Sequence, residues 1–145
     1  MTQDPLIHSH VLIAYDDSSA DRYALAHVAE RVRPGDVVTI VNVMPEPGVG
    51  ARLEPATAGR NRQWRVLDEA RRFLAARGIE THTQAPVGDV VAEVLAAAEL
   101  AQADLIVIGQ HRGHVPHPLG ATSARISRAA PCDVLIVHEP AAVVR

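Results

Sequence analysis

Four short segments of the chain are almost continuously apolar and rich in β-branched residues. They are residues 11–15, 37–44, 105–108 and 134–137. Segments of this kind are typical of strands buried on both faces, as in a parallel sheet covered by helices. A fifth segment, residues 79–85, alternates between polar and apolar side chains, which predicts a strand at the edge of the sheet.

Segments with helical periodicity separate these strands. Apolar residues recur every three or four positions in residues 20–33, 60–77, 89–102 and 122–130. Ser18 with Asp21 predicts a capped start for the first helix, and Gly78 stands where a C-terminal cap glycine is expected for the second. Trp64, in the second helix, is expected in the core or on a dimer surface. The alternation of strands and helices predicts one α/β domain over residues 1–145.

Three segments break this regular pattern. Residues 1–9 are a short polar N-terminal segment. Residues 45–59 hold three prolines and three glycines, which predicts a long mobile loop after the second strand, and residues 110–119 form a loop rich in Gly, Pro and His after the fourth. The two loops leave the carboxyl ends of strands, where ligands bind in open α/β sheets.

The composition excludes several kinds of site. All 14 basic residues are Arg, so the chain has no Lys for a Walker-type phosphate loop or a Schiff base. A net charge of −3 without a basic run argues against nucleic acid as a partner. No apolar segment is long enough to span a membrane, and a single cysteine, Cys132, cannot form an intramolecular disulfide. We therefore expect a soluble, cytoplasmic protein.

Two segments hold candidate binding residues. Asp16, in the acidic turn after the first strand, can accept a hydrogen bond from a ribose hydroxyl or an adenine amine; alternatively, the turn only complements the positive end of the next helix. From Gly109 to Ser123, glycines and a helix N-terminus can present backbone amides to a phosphate, or they can simply form a flexible loop. In this loop His111, His114 and His117 alternate with prolines, which favours an extended segment without a metal site.

Several segments of the chain match a sequence pattern that is specific to one protein family. They are residues 11–16 with Ser18, residues 38–43, residues 104–109 through Gly120, and residues 130–137. In these segments the chain resembles the universal stress protein family along nearly its whole length. The resemblance implies a doubly wound, five-stranded parallel sheet of order 3-2-1-4-5, an adenine nucleotide alpha-hydrolase-like (Rossmann-like) fold. It also implies a homodimer formed by the last strands, here Asp133–His138.

The resemblance further implies a site for an adenine nucleotide, ATP or AMP, between the first and fourth strands. Any Mg²⁺ would be associated with the nucleotide. The candidate binding residues are Ala14, Tyr15, Asp16, Val43, Ile108, Gly109, His111, Arg112, Gly113, Gly120, Ala121, Thr122 and Ser123.

The phosphate half of this site departs from the family's motif of Gly, two residues, Gly, nine residues, then Gly with Ser or Thr. Gly113 stands one position late, the loop is two residues shorter, and Ala121 replaces the hydroxyl residue. Thr122 and Ser123 offer hydroxyls further on, and Arg112 offers a charge-assisted contact.

Two functions therefore remain open. One is a stress-response protein that binds an adenine nucleotide, and the other is a dimeric interaction module that binds none. Slow ATP hydrolysis ranks last, because no general base or metal-binding carboxylate pair is identifiable near the expected phosphates.

Overall fold

Five parallel strands alternate along the chain with four helices in the computed structural model, which describes residues 8–46, 56–110 and 120–140. In chain order the elements are β1 (His10–Ala14), α1 (Ser19–Ala29), β2 (Val37–Val41), α2 (Ala56–Ala75), β3 (Glu80–Gln84), α3 (Val90–Leu100), β4 (Leu105–Gln110), α4 (Ala121–Ala129) and β5 (Asp133–His138). The strand order is β3-β2-β1-β4-β5, and every pair is parallel. The predicted fold class and sheet order are confirmed.

Two apolar cores lie on opposite faces of the sheet. Ile13 of β1 packs on one face with Leu25 of α1 and Leu67 of α2. Leu12, its neighbour in β1, packs on the other face with Val94 of α3 and Ile126 of α4. Successive side chains of a strand point to opposite faces, so a strand between two layers of helices must be apolar throughout. None of the described helices is long and apolar enough to cross a membrane.

One boundary of each of two helices differs from the sequence prediction by four residues. α1 ends at Ala29 rather than at residue 33, because the N–H groups of Arg31 and Val32 both turn back to the Val28 carbonyl. α2 begins at Ala56, so residues 56–59, expected at the end of a loop, form its first turn. Residues 47–55 of that expected loop lie outside the described residues.

Two further predictions concern α2: a glycine cap at its C-terminus and the location of Trp64. Gly78 has a φ of 74°, and its N–H donates to the Ala75 carbonyl, so it caps α2 as predicted. Leu67 is fully buried, but Trp64 is 48% exposed. Of the two predicted locations for Trp64, the core is therefore excluded and a dimer surface stays a prediction.

Truncation of Leu67 tests the core beneath α2. We expect Leu67→Ala to lower the free energy of unfolding by about 2–5 kcal/mol, because the vacated volume cannot be refilled completely. Leu100→Ala, the same change at a helix position that is 76% exposed, should lower it by less than about 0.5 kcal/mol. Urea denaturation followed by circular dichroism measures both, and equal losses would contradict the described packing.

Candidate functional site

A cavity of about 480 Å³ opens at the carboxyl ends of β1, β2 and β4. This volume is within the range of about 300–1,000 Å³ that is usual for small-molecule sites. The cavity lies at the switch point between β1 and β4, where the chain leaves adjacent strands in opposite directions. The described residues that line it are Ala14, Tyr15, Asp16, Asp21, Val41, Asn42, Val43, Pro45, Val90, Val94, Ile108, Gly109, Thr122, Ser123 and Ile126.

Most of the predicted site residues that are described lie around this cavity. They are Ala14, Tyr15, Asp16, Val43, Ile108, Gly109, Thr122 and Ser123. Gly120 and Ala121 do not line it: Gly120 is the N-cap residue of α4, and Ala121 is the exposed first residue of that helix. His111, Arg112 and Gly113 lie outside the described residues.

Two aspartate carboxyl groups stabilise the turn between β1 and α1 by accepting hydrogen bonds from its backbone N–H groups. The backbone N–H of Asp16 donates to Asp21 Oδ2 at 2.7 Å, and the N–H of Ser18 donates to Asp16 Oδ1 at 2.9 Å. Ser18 Oγ accepts from the N–H of Asp21 at 3.1 Å, which caps α1 as the sequence predicts. The Asp21 carboxyl thus bonds to the turn ahead of the helix rather than to Ser18.

The two carboxyl groups have opposite electrostatic character. Asp16 is exposed and Asp21 only 8% exposed, and the two side chains are hydrogen-bonded to each other. That hydrogen bond, assisted by Ser18, holds the pKa of Asp16 below its usual range. Burial, together with the neighbouring Asp16, raises the pKa of Asp21 to about 8. At neutral pH Asp16 therefore carries the charge and Asp21 the proton.

Gly109 allows β4 to approach α1 very closely. A Cβ at this position would overlap the Ala20 carbonyl and lie 2.8 Å from Asp21 Oδ1. No side chain fits there unless the backbone of α1 moves. Gly109 therefore has a packing role in addition to any contact with a ligand.

The first turn of α4 forms part of the wall of the cavity. Gly120 supplies no side-chain cap, and its own N–H donates to Gln110 Oε1 at 3.3 Å. The first N–H groups of a helix have no partner within the helix and attract anions. The hydroxyl groups of Thr122 and Ser123 belong to this first turn and to the cavity wall.

A polar network fixes the opposite wall of the cavity. Asn42 Nδ2 donates to the Tyr15 carbonyl at 2.8 Å. The buried Gln63 of α2 donates through Nε2 to the carbonyl of Asn42 at 2.6 Å and to that of Pro86 at 2.9 Å. Arg60 Nη1 in turn donates to Gln63 Oε1 at 2.7 Å. The backbone beside Val43 is thereby tied to β1, α2 and the segment after β3.

Several lining residues are missing from the sequence prediction. The sequence indicates Asp21 only as part of a helix cap. Val90, Val94 and Ile126 belong to the apolar faces of helices, and periodicity alone cannot separate those that line a cavity from those that fill a core. The one available signal was the position of Asp21 in the first turn of the helix that follows Asp16.

The described part of the chain comprises residues 8–46, 56–110 and 120–140. Within these ranges no group of three His, Cys, Asp or Glu side chains could hold a metal ion.

Comparison with known proteins relates this geometry to one family. The model of the universal stress protein family matches residues 8–138. The chain belongs to the universal stress protein family. A search of curated proteins gave no significant match.

Solved structures of universal stress proteins share the fold. One from Burkholderia pseudomallei is 26% identical, with a TM-score of 0.69 over 89% of this chain and 95% of the other. One from Arabidopsis thaliana, solved with AMP bound, is 15% identical, with a TM-score of 0.71 over 92% and 93%. A third, in complex with cAMP, is 19% identical, with a TM-score of 0.65 over 90% and 97%.

Replacement of each of two glycines of the expected phosphate motif by alanine tests which glycine is required for packing. We expect Gly109→Ala to lower the free energy of unfolding by about 1–3 kcal/mol, because its methyl group would collide with α1. Gly120→Ala should lower it by about 0.5 kcal/mol, because that position has open space and a φ of −67°. Thermal unfolding measures both, and a stable Gly109→Ala protein would contradict the close approach of α1 to β4.

Proposed function

We propose that this protein is a cytoplasmic stress-response protein that binds an adenine nucleotide, AMP or ATP, in the cavity between β1 and β4. One observation carries the proposal: the wall of one cavity includes both a carboxylate, Asp16, and the first turn of α4, whose N-terminus has no side-chain cap. A nucleotide needs both, because its ribose hydroxyls donate hydrogen bonds and its phosphates accept them.

The base and the sugar would occupy the part of the cavity beside β1 and β2. Val41, Val43 and Val94 offer apolar surface to a flat ring. Asp16 Oδ1 accepts the N–H of Ser18, and each carboxylate oxygen has a second lone pair, so the exposed carboxylate can still accept a hydrogen bond from a ribose hydroxyl. The low pKa of Asp16 keeps that group ionised at neutral pH.

The phosphates would lie between Gly109 and the first turn of α4. The backbone amides of that turn and the hydroxyls of Thr122 and Ser123 are the donors that the described residues offer. These donors can bind phosphates without a lysine. Arg112 follows Gly109 closely in sequence and is proposed as an additional contact. The AMP and cAMP complexes of family members support a nucleotide of this class.

Binding is tested by nucleotide extraction and calorimetry on the purified protein. We expect bound adenine nucleotide in the extract, or heat on titration with AMP or ATP, each measured with and without Mg²⁺. Absence of both at millimolar ligand would reject the proposal. It would favour the alternative, a dimeric interaction module without a nucleotide.

Two adjacent aspartates provide a matched pair of variants. Asp16→Asn should weaken AMP binding about tenfold, because a charged hydrogen-bond acceptor for the ribose becomes neutral. Asp17→Asn should change it less than about twofold, because Asp17 contacts Arg22 and Tyr15 and does not line the cavity. Asn also tolerates the positive φ of 67° at residue 17. Equal effects in calorimetric titrations would contradict the role of Asp16.

The protein is further proposed to form a homodimer through β5. This strand is at the edge of the sheet, and its apolar residues Val134, Leu135 and Ile136 are only half-buried. An edge with unpaired backbone groups and apolar side chains favours pairing with a second copy. Sedimentation equilibrium should give twice the mass of one chain, and a monomer at every protein concentration would contradict this.

A further inference from the structure

The floor of the cavity contains a buried carboxyl group to which the proposed function gives no role. Asp21 is 8% exposed and lies at the back of the crevice, against Gly109 of β4. Its carboxyl accepts the Asp16 N–H at 2.7 Å and is hydrogen-bonded to the Asp16 carboxyl. The residue proposed to hold the ribose is therefore held, at both its backbone and its side chain, by Asp21.

The described surroundings of this pair supply no compensating cation. Ionisable side chains near this turn are Tyr15 and Asp17 after β1, Arg22 on α1 and Glu139 after β5. The elements packed around it also carry ionisable side chains at Tyr23, His27, Arg125, Arg128, Asp133 and His138. Arg22 Nη1 is directed to Asp17 Oδ1 at 3.4 Å, and Glu139 accepts from Ser19 Oγ at 3.1 Å. Backbone N–H groups of Asp16 and Gly109 donate to the Asp21 carboxyl and favour its ionised form. Burial and the neighbouring Asp16 carboxyl outweigh them, so the pKa of Asp21 is raised and the pair shares one proton.

We infer that Asp21 is a positioning residue of the nucleotide site: its protonated carboxyl donates a hydrogen bond that fixes the Asp16 carboxylate for the ribose, so that ligand affinity depends on this proton. The inference rests on the proposed function and names a regulation of the same site.

Loss of the proton would change the site through Asp16. With Asp21 protonated, the Asp16 carboxylate is held between the Ser18 N–H and the Asp21 hydroxyl, with a single negative charge in the pair. With Asp21 ionised, two like charges repel each other and the hydrogen bond between the side chains is gone. Asp16 then loses the contact that orients it.

The sign of the pH dependence follows from the raised pKa of Asp21. The protonated form dominates below a pKa of about 8 and falls to about one tenth at pH 9. If only this form binds well, the apparent affinity should fall about tenfold between pH 7 and pH 9. The phosphate of AMP, with a second pKa near 6, has largely completed its own ionisation by pH 7.

The experiment measures AMP and adenosine binding by calorimetry at pH 7, 8 and 9 in three proteins. The unchanged protein should lose about tenfold in affinity for both ligands. Asp21→Asn, whose amide N–H replaces the carboxyl O–H permanently, should lose less than about twofold and bind more tightly than the unchanged protein at pH 9. Asp36→Asn, a change at a buried aspartate bonded to Arg33, should keep the profile of the unchanged protein.

Each contrary result identifies what has failed. Affinity that does not vary between pH 7 and pH 9, or that varies equally in Asp21→Asn, would overturn the inference while leaving nucleotide binding intact. A loss confined to AMP would also overturn it, because repulsion of the phosphate would then explain the effect without any orientation of Asp16. Absence of binding at every pH would reject the proposed function and the inference together.

A measurement without ligand provides an independent test. Carboxyl carbon NMR of the free protein should show Asp21 titrating near pH 8 and Asp16 below the usual range of an aspartate, in line with their raised and lowered pKa values. An Asp21 that titrates below pH 5 would overturn the inference whether or not a nucleotide binds.

Discussion

The burial of β1 on both faces is the constraint on which the rest of the structure depends. Leu12 and Ile13 point to opposite faces of the sheet, and neither has measurable exposure. Helices must therefore cover both sides, and the chain must cross from one side of β1 to the other. This crossing opens the crevice between β1 and β4. Polar chemistry can begin only where β1 ends, at Tyr15 and Asp16, so the acidic turn and the cavity share one edge of the sheet.

The contact between α1 and β4 is the second consequence of this arrangement. The helix packs so close to β4 that residue 109 must be a glycine, and the same approach brings Asp21 to the back of the cavity. Gly120, in the same expected motif, lies in open space. Two glycines of the same family motif thus have different structural roles. Gly109 allows β4 to pack against α1, and Gly120 is the N-cap residue of α4.

The sequence predicted the strands, their order and the position of the acidic turn, because continuous apolar segments and the family resemblance report directly on the sheet. It misplaced the end of α1, which stops several residues before Pro34 and Gly35, and the start of α2, whose first turn includes Gly59. The role of Asp21 could not be predicted either, because local spacing explains it fully as a helix cap. Only the approach of Gly109, distant in sequence, shows that its carboxyl is buried beside Asp16 and lines a cavity.

The absence of lysine imposes no penalty on a site of this kind, since a helix N-terminus and hydroxyl groups can hold phosphates without a cation. The electrostatic difficulty comes instead from the two carboxyl groups that line the cavity, Asp16 and Asp21. Were both ionised, each phosphate charge would be repelled twice. A proton on Asp21 removes one of these charges while leaving Asp16 charged, where a carboxylate is useful to a ribose. The same burial that makes Asp21 costly to ionise is therefore what makes an acidic cavity compatible with an anionic ligand.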